Sequence, residues 1–206
     1  MLLEFRDAEP TDIDIAVPLM YQSGPDAFNY VFTVPGKGGP LDFLRYAYAD
    51  GAGEFGWRNH AVGILDGKVV ATGGGWSGKN GLAFMLAGAR QILGFYGLFA
   101  GLGVIVRGLR TEAVIPPPAS DRHYLGHLGV LPEMQSRGIG KALVDYLLDA
   151  GKKAGFKVAA LDVAVTNGRG QVLYERLGFA VTKERFSSLK NAHGVVANHR
   201  HMEMAI

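Results

Sequence analysis

The segment from Gln135 to Lys141 has the residue types and spacing best suited to chemistry in this chain. It reads Gln-Ser-Arg-Gly-Ile-Gly-Lys, follows a strand-like run and opens a helical pattern. Backbone N–H groups at a helix N-terminus have no intrahelical partner, and the helix dipole adds positive potential there. Gly138 and Gly140 lack the Cβ atoms that would block close approach, while Arg137 and Lys141 add formal charge. The segment therefore predicts a site for a pyrophosphate group.

The elements around this segment predict one α/β domain over residues 1–206, built on a mixed sheet (α+β in arrangement) with helices on both sides. Asp66-Gly67 between two apolar runs is typical of a β-hairpin. The expected strands cover 2–6, 60–65, 68–75, 124–130, 157–165, 179–189 and 199–205. Helices are expected in two or three pieces over 13–48, and over 138–154 and 170–177.

Composition and charge exclude several classes of protein. The chain has 206 residues and a formal net charge of only +2, which gives little support for binding nucleic acid or a membrane surface. It contains no cysteine, so disulfides, thiolate metal sites and a Cys nucleophile are excluded. That composition fits a cytoplasmic protein. The charged residues that closely follow Met1 argue against a secretory signal.

Residues 82–109 form an apolar segment between the hairpin and the strand that precedes Gln135. Gln91 and Arg107 bracket fewer apolar residues than a membrane-spanning helix needs. Three interpretations remain open: a core helix or helical hairpin, an apolar lid or dimer face beside a substrate cleft, and a membrane contact.

Three features occur in a fixed order along the second half of the chain. The strand His127-Leu128-Gly129-Val130 precedes the Gln135–Lys141 turn, and Asn167 precedes Tyr174-Glu175-Arg176-Leu177-Gly178-Phe179. In this order the chain resembles the GCN5-related N-acetyltransferase (GNAT) family, whose cofactor signature is Q/R-x-x-G-x-G/A. The resemblance is close from Tyr124 to Thr182 and loose elsewhere. It implies a central twisted mixed sheet flanked by helices, the GNAT-like acyl-CoA N-acyltransferase fold.

The resemblance also implies acetyl-CoA as the acyl donor, with no metal. It places Leu128, Gly129 and Val130 on the pantetheine arm of coenzyme A. The residues that it implies for the phosphates and the rest of the cofactor are Gln135, Ser136, Arg137, Gly138, Ile139, Gly140, Lys141 and Asn167. From the sequence alone, Asn167 either contacts the cofactor or caps the next helix.

Tyr174 matches the family's tyrosine that protonates the departing thiolate, and the resemblance therefore implies that it is the general acid. The position of the general base stays open. Positions that carry Glu or His in some relatives hold Tyr124 and Gly126 here. Deprotonation by way of water from Tyr124 or from a distant carboxylate is one hypothesis. Strict strand alternation predicts that His123 and His127 point away from Tyr124, as structural histidines, unless a bulge turns one back.

Two other groups of residues admit simpler interpretations. His199 and His201 suggest a metal, but the sequence shows no third ligand, and a strand with two outward imidazoles is expected instead. Trp57 and Trp76 either line an acceptor cavity or fill the core.

The resulting prediction is an N-acetyltransferase that transfers acetyl from acetyl-CoA to a primary amine by direct attack. The insert favours a hydrophobic or weakly charged acceptor, either a small molecule or a peptide, and a homodimer is an added possibility. The alternatives are a non-catalytic acetyl-CoA sensor, motivated by the missing base, and an interaction protein that docks through the apolar insert. Neither nucleic acid nor membrane is an expected partner.

Overall fold

The computed structural model describes residues 2–206, which form a seven-stranded mixed sheet with helices on both faces. The strands are β1 (Leu3–Asp7), β2 (His60–Leu65), β3 (Lys68–Trp76), β4 (His123–Val130), β5 (Val158–Ala164), β6 (Ala180–Arg185) and β7 (His199–Ala205). The helices are α1 (Ile13–Gln22), α2 (Pro25–Phe32), α3 (Pro40–Asp50), α4 (Gly81–Tyr96), α5 (Leu98–Thr111), α6 (Ile139–Lys153) and α7 (Gly168–Leu177). The predicted fold class and the predicted order of elements are confirmed.

The centre of the sheet opens between two of its strands. The strand order is β1-β2-β3-β4-β5-β7-β6, and every neighbouring pair is antiparallel except β4 and β5. These two parallel strands pair only at His123↔Ala159 and Tyr124↔Ala160 and then separate. The edge of β4 that faces β5 therefore has no strand partner beyond Tyr124, and its backbone groups are free to bind a ligand.

The hairpin between β2 and β3 forms where the sequence predicts it. Asp66 and Gly67 both have positive φ angles, 48° and 79°, as the twisted two-residue turn of a hairpin requires. Leu65 pairs with Lys68 directly across this turn. Local turn chemistry thus sets the register of the two strands.

Two hydrophobic cores lie on opposite faces of the sheet. Strand alternation sends Val62 into the first core, with helices α1 to α5, and Ala61 into the second, under α6 and α7. In the second core, Ile139, Leu143 and Leu147 form the buried stripe of α6. Full burial of each such side chain stabilises the fold by roughly 1.5–3 kcal/mol.

The apolar insert is a helical hairpin, α4 and α5, that turns at Gly97, whose φ is 78°. Gly101 allows the two helices to pack closely, because a Cβ at this position would lie 3.0 Å from Leu93 Cδ2. Most of the outer face remains exposed, and Phe99 is 90% exposed. The hairpin interpretation is confirmed, although only a minority of its residues join the core. None of the helices within residues 2–206 combines the length and apolarity needed to cross a membrane.

The strand predicted for 179–189 is too long. Strand β6 ends at Arg185, which pairs with His199, the first residue of β7. The alternating pattern continues beyond this point, but the pairing with β7 does not: Phe186 is 78% exposed, and Lys190 forms an isolated bridge with Val195 instead. Pairing, which the residue pattern alone does not encode, decides where the strand ends.

Candidate active site

A cleft of about 920 Å³ lies beside the opening between β4 and β5. Its walls come from the end of β4, the turn at 135–141, the start of α7 and residues 22–27. Nearly all the residues predicted to bind the cofactor line this cleft. The exceptions are Arg137, which is exposed outside it, and Ile139, whose side chain is buried in the second core and which offers only its backbone.

The N-terminus of α6 presents free backbone donors at one end of this cleft. The first hydrogen bond of the helix runs from the Ala142 N–H to the Gly138 carbonyl oxygen, 3.0 Å. The N–H groups of Ile139, Gly140 and Lys141 therefore lack intrahelical acceptors, and no side chain caps the helix. Gly138 reaches this geometry with a φ of 81°, in the left-handed region that glycine tolerates best. The arrangement suits a pyrophosphate.

Side chains fix the shape of the turn that leads into α6. Gln135 Nε2 donates to the Val130 carbonyl oxygen at 3.2 Å, and Gln135 Oε1 accepts from Arg169 at 2.9 Å. Arg169 also donates to Ser136 Oγ at 3.3 Å, which links the start of α7 to the turn. Lys141 lines the cleft and bonds Asp145 one helical turn away, at 2.6 Å.

The middle of the cleft runs along the unpaired edge of β4. Leu128, Gly129 and Val130 line it, next to a backbone that has no partner strand on the β5 side. Gly129 is required here because a Cβ would lie 2.6 Å from the Leu19 carbonyl oxygen of α1. Exposed peptide groups along an extended edge are suited to the amides of a pantetheine arm.

Asn167 caps the helix that follows it. Its Oδ1 accepts from the Gly170 N–H at 2.9 Å, which satisfies one of the free donors at the start of α7. The residue also lines this first cleft, called here the cofactor cleft, so its capping role and its place in the site coexist.

Tyr174 stands where this first cleft meets a second one, since it lines both. The ring packs against Phe179 in the second core, and the residue is only 9% exposed. Burial raises the pKa of its phenol to about 12. The hydroxyl is thus protonated at neutral pH, as a proton donor must be.

The second cleft, called here the acceptor cleft, encloses about 370 Å³ on the α1–α5 side of the opening. Helices α4 and α5 contribute Met85, Ile92, Ile105 and Leu109 to it. Its aromatic walls are Phe28, Phe32, Phe55, Trp76 and Tyr124. Trp76 therefore lines a cavity, whereas Trp57 packs against the first core and stacks with Arg58. The insert acts as an apolar wall of this cleft.

His127 faces the acceptor cleft, so the expectation from strict alternation is wrong for this residue. The register between β3 and β4 shifts between Thr72 and Gly74, and His127 has a φ of 57°. This bulge returns its ring to the face of Tyr124, where it lies 5.3 Å from the centre of the Trp76 ring. His123 follows the alternation and bonds the Leu147 carbonyl oxygen on the opposite face.

Hydrogen bonds fix the protonation of two stacked imidazoles. His60 Nδ1 lies 2.9 Å from the Gly56 carbonyl oxygen, which only accepts, so this nitrogen carries the proton. Burial lowers the pKa of His60 to about 4, so its Nε2 is an acceptor. His127 Nδ1, 3.1 Å away, must donate to it. Burial also holds the pKa of His127 well below its ordinary value, which leaves a bare lone pair on its Nε2.

Glu54 lies next to that lone pair. Its Oε1 is 3.7 Å from His127 Nε2. Neither His60 nor His127 donates a ring hydrogen into the space between these two atoms. Solvent reaches 47% of the Glu54 side chain, yet enclosure by the cleft raises the pKa of its carboxyl to about 7, and the charge of Glu112 adds to the rise. A carboxylate of this kind is matched to proton transfer near neutral pH.

The loop that carries Glu54 is tied to the insert. Gln91 of α4 is buried, and its Nε2 donates to Asp50 Oδ2 at 2.8 Å and to the Ala52 carbonyl oxygen at 3.0 Å. Arg90 adds an ion pair with Asp50 at 2.6 Å. The same hydrogen bonds therefore hold both α4, which forms a wall of the acceptor cleft, and the loop that carries Glu54.

Tyr124 donates a hydrogen bond to Asp162 Oδ2 at 3.2 Å. Burial, together with the charges of Asp162 and Glu54, raises the pKa of Tyr124 well above its ordinary value. The phenol stays protonated, which weighs against its acting as a base. The negative charge of Asp162 is compensated by Arg185 at 3.0 Å and by His201 at 3.2 Å.

The expectation of two outward imidazoles on β7 is wrong. His199 is 8% exposed and lines both clefts, while His201 contacts Asp162 across the β5–β7 pair. Both residues lie on the strand face that points to the site, since they are two positions apart. Within residues 2–206, no cluster of three or more His, Asp or Glu side chains is arranged to hold a metal ion.

Sequence reasoning missed the carboxylates that line the acceptor cleft, Glu54, Glu112 and Asp162. Glu54 lies in a glycine-rich loop, Gly51-Ala52-Gly53-Glu54, far along the chain from the cofactor signature. A single charged residue between glycines gives no catalytic pattern. The one available signal was an isolated acidic residue in an otherwise uncharged loop next to aromatic residues.

The model of the Acetyltransferase (GNAT) family matches residues 40–179, and the chain belongs to this family. Among curated proteins, it is similar to the [Ribosomal protein bS18]-alanine N-acetyltransferase of Escherichia coli (strain K12), with 37% identity over 59 residues. That match covers 29% of this chain and 40% of the length of the relative.

Solved structures share the fold at low sequence identity. An N-acetyltransferase from Staphylococcus aureus Mu50 superimposes with a TM-score of 0.71 and 17% identity, over 98% of this chain and 100% of its own. The polyamine N-acetyltransferase of Drosophila melanogaster matches with a TM-score of 0.58 and 17% identity, over all of both chains. The GNAT fold predicted from the sequence is confirmed.

Proposed function

We propose that the chain is an N-acetyltransferase that transfers the acetyl group of acetyl-CoA to a primary amine. One observation carries this proposal: the two clefts meet at Tyr174, in the opening between β4 and β5. The first cleft has the donors and the unpaired strand edge that a coenzyme A molecule needs. The second has a carboxylate with a raised pKa. A donor and an acceptor bound in these clefts would meet beside a protonated phenol.

The relatives support an amine as the acceptor. Their names describe acetylation of an alanine of a ribosomal protein and of a polyamine. Both acceptors present an amino group, which is protonated at neutral pH and must lose a proton before it attacks.

The proposed steps use residues from both clefts. Acetyl-CoA supplies the thioester. Glu54 takes a proton from the bound ammonium, and the free amine attacks the acetyl carbonyl carbon to form the new C–N bond. Backbone N–H groups near Gly129 and Val130 polarise the carbonyl oxygen. As the C–S bond breaks and its electron pair passes to sulfur, Tyr174 donates its proton to the thiolate. The nitrogen then loses its second proton by way of water, and the phenolate of Tyr174 takes up a proton from water.

The direct test replaces Tyr174 with Phe, which keeps the ring and removes only the hydroxyl group that carries the proton. We expect the turnover number to fall by about 10²–10⁴-fold, the usual worth of a positioned acid, with the Kd of acetyl-CoA nearly unchanged. Thiol release and calorimetry measure the two quantities. Unchanged turnover would remove Tyr174 as the acid. Acetyl-CoA binding by the unmodified chain with no thiol release across a broad amine panel would favour a non-catalytic sensor instead.

The proposal extends to a cytoplasmic location and to a homodimer formed through the exposed outer face of α4 and α5. The exposed apolar residues of that face support the second point. Cell fractionation and light scattering at increasing protein concentration test these two statements.

A further inference from the structure

The acceptor cleft has a chemistry of its own that narrows the class of amine. Its walls are aromatic and aliphatic, and they include Phe28, Phe55, Trp76 and Ile105. Its volume of about 370 Å³ is that of a small-molecule site. Burial of apolar surface in such a cleft contributes roughly 0.8 kcal/mol for each CH₂ group of a ligand.

Two hydrogen-bond acceptors lie side by side in the same cleft. His127 Nε2 and Glu54 Oε1 are 3.7 Å apart. The hydrogen bonds from Gly56 through His60 to His127 fix the tautomer of His127, which leaves the lone pair on its Nε2. When Glu54 is ionised, its oxygen and the imidazole lone pair repel each other at this separation, and a ligand that supplies a donor to both removes the repulsion. An ammonium group has three donors and a positive charge, which suits this pair.

We propose that the preferred acceptor is a monoamine with an apolar body, such as an alkylamine or arylalkylamine, whose nitrogen binds between Glu54 and His127 Nε2. The apolar body lies along the wall formed by α4 and α5. This inference rests on the proposed acetyltransferase function and names its substrate class. A dication such as a polyamine would place its second charge either against the apolar walls, which costs free energy, or near Glu112, an exposed carboxylate of the same cleft whose attraction is screened by solvent.

A homologous series of primary alkylamines, from propylamine to octylamine, tests the class. We expect kcat/KM, measured by thiol release, to rise about threefold to fourfold for each added CH₂ group, until the cleft is filled. Phenethylamine should exceed both agmatine and spermidine. A flat series, or higher kcat/KM for agmatine, spermidine or an alanine-ended peptide, overturns the inference and leaves the acetyltransferase function standing. Acetyl-CoA binding with no thiol release from any amine overturns the function itself.

A matched pair of variants on α4 tests the wall. Met85 and Leu86 are adjacent and similarly exposed, at 58% and 59%, but only Met85 lines the cleft. Met85→Gln should raise the KM for octylamine about threefold to tenfold, with little change in KM for propylamine. Leu86→Gln should change neither value. Equal effects of the two variants would contradict the proposed path of the apolar body.

Discussion

The two clefts that meet at Tyr174 are built from different materials. The cofactor cleft uses backbone groups: three free N–H groups at the start of α6 and the unpaired edge of β4. The acceptor cleft uses side chains from the loop before β2, from β3 and β4, and from helices α2, α4 and α5. Backbone groups are the same at every residue, so a site built from them suits the chemical groups that all acyl-CoA donors share. A site built from side chains can change its ligand when one residue changes.

The largest effect is expected from removing the carboxylate that lies beside His127 in the acceptor cleft. Glu54→Gln keeps the size of the side chain and abolishes its basicity, so kcat/KM should fall by about 10²–10⁴-fold. The base form of Glu54 is the ionised one, and enclosure by the cleft raises the pKa of its carboxyl to about 7. Activity of the unmodified chain should therefore rise as the pH increases through about 7, and this limb should disappear in the variant.

The control for this experiment is the binding of acetyl-CoA. Because Glu54 lines only the acceptor cleft, calorimetry should give the same Kd for the variant and the unmodified chain. A large loss of cofactor affinity would show that the two clefts are not separate sites. Retention of the acidic limb would assign it to another group.

The reciprocal change is made in the cofactor cleft. A Cβ at Gly140 would make ordinary contacts with Leu173 Cδ2 at 3.4 Å and Val130 Cγ2 at 3.8 Å, but it would project beside the free N–H groups. Gly140→Ala should weaken acetyl-CoA binding about tenfold, as expected for the loss of about 1.4 kcal/mol of close contact. The free energy of unfolding should stay equal or rise by about 0.5–1 kcal/mol, since alanine favours a helix.

Gly103→Ala is the matched control, because Gly103 lies in α5, outside both clefts, with room for a Cβ. It should give a similar gain in stability in chemical denaturation and leave the Kd of acetyl-CoA unchanged. If both variants lowered the affinity equally, the close approach of the cofactor to Gly140 would be wrong.

The smallest expected effect on activity concerns the hydrogen bond that fixes the tautomer of His127. His60→Phe preserves a ring against His127 but removes the acceptor for its Nδ1–H. A buried donor without a partner costs about 1–3 kcal/mol in the free energy of unfolding. Release of His127 from its fixed tautomer should also raise the KM for the amine and leave the Kd of acetyl-CoA unchanged. Urea denaturation and steady-state kinetics measure these effects. An unchanged KM would show that Glu54 alone holds the nitrogen.

Much of the cofactor cleft could be predicted from the sequence, because most of its residues are close together along the chain. The glycines at 138 and 140, the strand before them and the helix after them are all local signals. Even there, two details depended on packing. Ile139 points into the core, and Arg137, predicted to bind phosphate, lies outside the cleft.

Backbone preferences over a few neighbouring residues fix the order of elements, the hairpin at Asp66-Gly67 and the N-terminus of α6, so the residue pattern was enough to predict them. The chemistry of the acceptor cleft depends instead on segments that meet only in the folded chain. A bulge turned His127 inward, and the loop at Glu54 came within 3.7 Å of it from 73 positions earlier in the chain. Sequence periodicity describes the face of an ideal strand, whereas bulges and contacts between distant segments depend on how the whole chain packs.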